Sequence, residues 1–226
     1  MSFGVKLHIR GDNACFSRPE MKVERVSYDI ITPSAARGIL EAIHWKPAIN
    51  WVIDTIHVLE PIQFETIRRN EVASKISMRN VVSAMKKGST ENLYMLVDEG
   101  KERQQRAATV LRKVGYIIEA HFLLTDKAGE SDNAGKHCRM FNDRAKKGQC
   151  FHQPYLGVRE FPAEFSLIEN NEWPTSNLSE NDKDKDLGWM LHDIDFANQK
   201  TPHFFRADMK DGKVTVPPFP SVAVSA

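Results

Sequence analysis

Three consecutive side chains, His44, Trp45 and Lys46, set an imidazole, an indole and an ammonium side by side just before Pro47. Such a trio at a helix end suits binding of an anion, or proton transfer to it, and it equally suits ordinary helix-end residues. A second imidazole, His121, follows Glu119 by two in the run LRKVGYIIEAHFLL. On a strand that spacing puts both on one face, so His121 is either a chemical group or a strand residue bonded to its neighbour. Histidine fits acid–base work because its ordinary pKa, about 6.5, lies near working pH. His137, Cys138, Cys150 and His152 are zinc-capable types, but they lack the short Cys-x-x-Cys or His-x-x-x-His spacing, and no metal site is expected. Residues 135–148 contain no phosphate-loop pattern, so a nucleotide hydrolase is unsupported and no cofactor is implied.

The elements that must position these groups are legible in order. Residues 5–10 (VKLHIR) alternate and read as an opening strand, and residues 25–31 as a second extended piece. Thr32 can cap a helix with Pro33 at its first position, and Ala35, Ile39, Ala42 and Ile43 give it one buried stripe. Pro47 stops that helix and leaves His44, Trp45 and Lys46 in its last turn. Residues 51–62 read as a long strand closed by Pro61. Residues 65–106 show weak periodicity and read as an insertion, partly loop, with a short strand at Met95 and Leu96. In 111–124, Val114, Tyr116, Ile118, Ala120, Phe122 and Leu124 share one face, and Lys113, Gly115, Ile117, Glu119, His121 and Leu123 the other. Residues 135–147 read as a helix with Met140, Phe141 and Ala145 inward and Gly148 as its stop. Residues 151–168 read as extended again, with Gly157 at a bulge or close approach.

Leaving the insertion aside, the order is strand, helix, strand, strand, helix, strand. That is an α+β, ferredoxin-like split βαβ: an antiparallel sheet with two helices on one face. We expect a core at 1–168 with its insertion at about 65–106, and a small β-rich annex at 169–226 whose prolines Pro217, Pro218 and Pro220 fray its end.

Composition narrows the class. With 41% hydrophobic and 27% charged residues, the chain is of soluble globular type, and no run of eighteen apolar residues predicts a membrane span. The start, MSFGVKLHIRGD, lacks a signal-peptide core, and three cysteines are too few for a disulfide framework, so a reduced, cytoplasmic protein is expected. The net charge of +1 hides an asymmetry: residues 65–113 hold eleven Lys/Arg against six Asp/Glu, and residues 164–200 hold three against nine. One part could meet phosphates and the other would repel them, unless both are simply solvated loops.

Four stretches resemble one known family. ARGILEAIHWKP (36–47), VLEPIQFETIRRNEV (58–72), GYIIEAHFLLT (115–125) and PYLGVREFPAEF (154–165) are similar to blocks of the CRISPR-associated Cas five proteins of type I-C (Dvulg) systems. The resemblance covers most of residues 5–168. It implies a ferredoxin-like core related to RNA-recognition domains (RAMP-type). It also implies a metal-independent endoribonuclease that cuts CRISPR repeat RNA at the base of its hairpin, then holds the 5′ handle of the crRNA inside a surveillance complex. Other subunits of a type I-C complex are the implied protein partners, and contact with double-stranded DNA is plausible by resemblance, though no residue marks it. The alternative is a non-catalytic subunit that only binds the handle.

The family's catalytic set is a tyrosine, a lysine and a histidine. The tyrosine's position is His44 here and the histidine's is His121, whereas Glu119 and Ala120 stand where some members carry the lysine. Metal-free cleavage needs a base for the 2′-OH, an acid for the leaving 5′-oxygen and a cation on the phosphate, and yields a 2′,3′-cyclic phosphate. We expect His44 and His121 to face each other across one phosphate, His44 as base and His121 as acid or the reverse, with Lys46 or Lys147 as the cation. Arg68, Arg69, Lys86, Lys87, Arg112 and Lys113 would grip phosphates. Trp45 or Phe151 would stack on an unpaired base, while Tyr116 reads more as core.

Overall fold

The computed structural model describes residues 4–21, 23–98, 102–170, 172–196 and 198–219 (for residue 92, the backbone alone). β1 (Gly4–Ala14) opens the chain and buries Val5, Leu7 and Ile9, the three apolar members of its alternation. After the two-residue β2 (Arg25–Val26), α1 (Pro33–Ile43) starts where its chemistry dictates. The Thr32 hydroxyl accepts the Ala35 N–H at 3.3 Å, and Pro33 fills the position whose N–H would be orphaned. Its buried stripe is Pro33, Ala36, Ile39, Leu40, Ala42 and Ile43, slightly rotated from the expected one.

β3 (Ile49–Val58), β5 (Arg103–Leu124), β1 and β6 (Glu164–Leu167) then form the body of the sheet. The strand order is β6-β1-β5-β3-β9, every pairing along it is antiparallel, and β9 (Lys213–Thr215) closes the far edge on β3. α3 (Ala134–Lys146) is capped by the Asn133 side chain and buries His137, Phe141 and Ala145. The rings of Phe141, Trp51 and Phe122 pack edge to face at about 5 Å, so α3 sits on the face of the sheet that carries the even-numbered residues of β5.

The stretch at 65–106 differs from expectation. β4 (Phe64–Val72) pairs with the first half of β5 over nine residue pairs, making a two-stranded arm, and α2 (Met78–Lys87) lies beyond it with no buried residue. Met95 and Leu96 form no strand. Only the base of the arm is packed, where Ala108 and Val110 are buried with Cys15 and Ile67 lies against them; residues 68–72 and 103–107 include no buried side chain, so their alternation carries no hydrophobic signal and the sequence reads as weakly periodic. Residues 99–101 of its polar run lie outside the described residues.

The segment 151–163 is irregular rather than extended, with one isolated bridge between Tyr155 and Pro162, and 164–167 forms the strand that pairs on β1. Gly157 explains the departure: its φ is +85°, and a Cβ there would lie 2.1 Å from the Cys15 carbonyl oxygen. β7 (Lys185–Asp195) and β8 (Thr201–Met209) form a separate two-stranded ribbon. Its side chains Met190, Leu191, Phe205, Ala207 and Met209 belong to the same core cluster as the main sheet. The terminal prolines do not leave Pro217 loose, because its carbonyl accepts the His192 Nε2–H at 2.8 Å, whereas Pro220 lies outside the described residues. No helix among the described residues is long and apolar enough to cross a membrane.

Candidate active site

β3 and β5 run antiparallel with Val52 opposite His121 and Trp51 opposite Phe122. The register slips between Ile53 and Thr55, leaving Asp54 as an extra residue in β3. A bulge of this kind re-aims a side chain, and here it brings both Asp54 carboxylate oxygens to 2.9 Å from His121 Nδ1. With Nδ1–H donated to Asp54, the ring keeps Nε2 for a substrate proton. The two residues line a cleft of about 290 Å³ together with Arg37, Asn50, Trp51, His192 and Asp193. Within it the Arg37 guanidinium is held by Glu41 at 2.8 Å and Asp193 at 2.7 Å. His192 is nearly buried, and its Nδ1 has no partner among the described residues.

Glu119 is not the partner of His121. It accepts instead from His57 Nε2 at 2.8 Å and stands 3.9 Å from Lys6 Nζ, beneath Trp173. His57 consequently has two opposing influences, burial lowering its pKa most and the Glu119 hydrogen bond raising it, with a net lowering.

His44 lies elsewhere. It is the C-cap of α1, with φ −147° and ψ 113°, and its relative exposure is 0%. Its ring packs on His137, whose ring in turn meets Phe122. Neighbouring residues of a strand point to opposite faces, so His44 shares the face of Phe122 and His121 occupies the other. The expectation that His44 and His121 bracket one phosphate does not fit this placement: His44 has no exposed surface, whereas His121 lines the cleft with Asp54. Burial, then the electrostatic influence of Arg144, His137 and Lys46, lowers the His44 pKa to about 4, which keeps the ring neutral at working pH.

Trp45 and Lys46 do reach solvent beyond the helix end, the indole 55% exposed. Phe151, 91% exposed, joins them there by donating its N–H to the Ala42 carbonyl. Lys147 caps α3 and is exposed, whereas Lys146 is paired with Glu169 at 2.6 Å.

The profile of the family described as CRISPR-associated protein (Cas_Cas5) matches residues 4–217. The chain belongs to this Cas5 family. It is 63% identical over 220 residues to a protein of Mannheimia succiniciproducens named CRISPR pre-crRNA endoribonuclease Cas5d, with 97% of each chain covered. A Thermus thermophilus protein of the same name is 38% identical over 232 residues, covering 94% of this chain and 91% of that one. A crystal structure titled as a CRISPR-associated protein superposes with a TM-score of 0.71 at 21% identity, covering 98% and 95%, which marks a shared fold.

Within this Cas5 chain the expected phosphate-gripping residues spread along the arm. Arg68 is exposed, Arg69 is ion-paired with Glu160, and Lys86 and Lys87 form the last turn of α2. Arg112 is exposed and Lys113 reaches Glu60 at 3.2 Å. Arg68 sits opposite Ala107, fourteen residues before His121, hence roughly 45 Å along β5 at about 3.4 Å per residue. Only an extended ligand meets both ends. Tyr116 is core, 2% exposed, with burial pushing its pKa up. Reading the sequence alone missed Asp54, because only the bulge turns it toward His121, and His192, because only the ribbon's docking brings it to the cleft.

Proposed function

We propose that this Cas5 protein is a metal-independent pre-crRNA endoribonuclease whose proton-transfer centre is His121, oriented by Asp54. The observation that carries the reading is the His121–Asp54 pair in a cleft of a chain 63% identical to a named pre-crRNA endoribonuclease. A neutral His121 with Nδ1–H on Asp54 presents its Nε2 lone pair, which suits it to take the ribose 2′-OH proton; Asp54 then stabilises the imidazolium. The 2′-oxygen attacks the adjacent phosphorus, the P–O5′ bond breaks with its electron pair going to the 5′-oxygen, and that oxygen takes a proton from solvent water while the imidazolium returns its own to solvent; the products are a 2′,3′-cyclic phosphate and a 5′-hydroxyl. His121 in this reading is base rather than acid, and His44 takes no proton from substrate. Lys46 and Lys147, with Trp45, face RNA beyond the end of α1, and the arm cations track its phosphates.

The order β6-β1-β5-β3, with α1 and α3 connecting it, supports reading the core as ferredoxin-like and RNA-recognition-like. The same proposal assigns residues 1–168 to that core and residues 169–226 to an annex, a division supported by the separate β7–β8 ribbon. After cleavage the protein stays on the crRNA 5′ handle within a type I-C surveillance complex in the cytoplasm, with double-stranded DNA as a further ligand. The burial of His44 at the family's tyrosine position favours a second reading, a subunit that binds the handle without cutting it.

Incubation of a repeat hairpin RNA in EDTA with wild type, His121→Ala and Asp54→Asn decides between them. Wild type should leave a cyclic phosphate, and His121→Ala should lose cleavage by at least ~100-fold, the scale of a general acid–base group. Tight binding without cleavage by wild type would leave only the handle-binding reading. Cleavage indifferent to His121 would remove the proposed centre.

A further inference from the structure

Asp132, His137, His44 and Arg144 form an unbroken hydrogen-bonded chain that no step above uses. Asp132 Oδ1 is 3.1 Å from His137 Nε2, His137 Nδ1 is 3.1 Å from His44 Nε2, and His44 Nδ1 is 3.3 Å from Arg144 Nη1. Both imidazoles are essentially without solvent contact.

The direction of the chain follows from its ends. Arginine has only donors, so His44 Nδ1 must accept from Arg144 and carry no proton. Neutral His44 therefore bears its proton on Nε2 and donates it to His137 Nδ1. His137 in turn bears its proton on Nε2 and donates to Asp132. The other end gives the same answer: the Asp132 carboxyl is held ionised by bonds from the Gly129 N–H and the Lys136 ammonium, which keep its pKa low, so it accepts. Both rings are thus single tautomers with every ring nitrogen engaged. A ring so engaged has no lone pair for a ribose hydroxyl and no proton for a leaving oxygen.

The same chain fixes one cation. Arg144 Nη1 also donates to the Ile43 carbonyl at 3.0 Å, at the C-terminus of α1, where a positive charge is favoured. Both Nη1 protons are then engaged, and the three remaining N–H groups, on Nη2 and Nε, stay available on a half-buried side chain. Around that helix end lie Lys46, Lys147, and the exposed rings of Trp45 and Phe151. Neither lysine has an ion-pair partner among the described residues. Cations without acidic partners beside exposed aromatic faces match a nucleic-acid backbone and its unpaired bases.

We infer that Arg144 is an RNA-phosphate-binding residue, and that His44, His137 and Asp132 are positioning residues that hold its guanidinium at the end of α1. The inference rests on the RNA-processing reading for its ligand. It assigns the histidine at the family's tyrosine position a part in binding rather than in proton transfer.

The test measures affinity for the repeat hairpin in EDTA across a salt series, alongside single-turnover cleavage, for Arg144→Ala, Arg144→Lys, His44→Leu and His44→Gln. Loss of one charge-assisted phosphate contact should weaken binding by Arg144→Ala roughly tenfold to a hundredfold and lower the salt slope by about 1. The loss should fall on KM more than on kcat. Arg144→Lys keeps the charge and should recover the salt slope without full affinity. His44→Leu should weaken binding in the same way, and His44→Gln, whose amide can accept from Arg144 and donate to His137 but cannot shuttle protons, should restore both binding and cleavage to within about threefold. Wild-type binding and salt slope in Arg144→Ala would overturn the inference. So would normal RNA binding by His44→Gln with cleavage lost, which would make His44 a proton-transfer group. If wild type binds the hairpin but does not cut it, the nuclease reading fails while the binding measurements still decide Arg144.

Discussion

Lowering the pH from 7 toward 4 should destabilise this protein through one identifiable group, His44. The ring is fully buried and its folded pKa is about 4, against an ordinary value of 6.5. Because the folded value is the lower one, the unfolded chain binds more protons between those two pH values, and stability rises with pH across that window. The contribution is complete above about pH 6.5 and is lost as the pH falls to about 4. A drop from 6.5 to about 4, at about 1.36 kcal/mol per pH unit, amounts to about 3 kcal/mol. For a domain with a total stability of roughly 5–15 kcal/mol, that is enough to move an unfolding midpoint clearly.

The assay is urea unfolding at half-unit pH steps from 7.5 to 4.5, for wild type and for His44→Gln. His137, Arg144 and Lys46 around the ring, and Asp132 beyond His137, are present in both proteins, so the comparison isolates the substituted ring. The difference between the two proteins should therefore shift by about 2–3 kcal/mol in favour of the variant between pH 7 and pH 4.5, with unchanged m-values. Parallel curves for the two proteins would refute the reasoning, because they would mean that His44 titrates alike in the folded and unfolded chain.

Other expectations rest on different parts of the molecule. Asp54→Asn should cut the rate of repeat-RNA cleavage by roughly 10–100-fold with little change in RNA affinity, because an amide oxygen can still accept from Nδ1 but cannot stabilise the imidazolium; single-turnover rates at saturating protein check this. Phe141→Ala empties a fully buried site against Trp51 and should cost about 3–5 kcal/mol in urea unfolding. Gly157→Ala adds a Cβ against the Cys15 carbonyl at a left-handed φ, and should lower stability by about 2 kcal/mol or more, seen as a fall in Tm.

Much of the core was legible because burial imposes period. The alternation of Val5, Leu7 and Ile9 and the Thr32–Pro33 start of α1 reflect one side meeting the core and the other not, while in 113–123 the even-numbered face is core and the other is buried only at Gly115 and Ile117. The outer arm at 68–72 and 103–107 was illegible for the same reason turned round: with no buried side chain, its polarity pattern means nothing. The helix ended three residues sooner than expected, at Ile43, and that difference mattered. His44 at the cap turns inward under α3, while Trp45 and Lys46 stay out.

The candidate site shows where one-dimensional reasoning stops. Matching blocks place His44 and His121 in one catalytic set, but a set is defined by a shared volume, and the pleat decides which volume a strand residue enters. His121 and Phe122 are neighbours in sequence, yet one faces the Asp54 cleft and the other faces His137 and thus His44. The bulge at Asp54 has the same character: a single extra residue in β3 creates the partner that His121 needs, and nothing in the composition of WVIDTIHV announces it. The identity of residue 44 then has a structural meaning. An imidazole of the right tautomer extends a buried chain of hydrogen bonds from Asp132 to Arg144, which a phenol with a single oxygen could not do with the same two partners at opposite ends. With both ring nitrogens engaged, His44 is the fixed anchor of the Arg144 guanidinium at the end of α1.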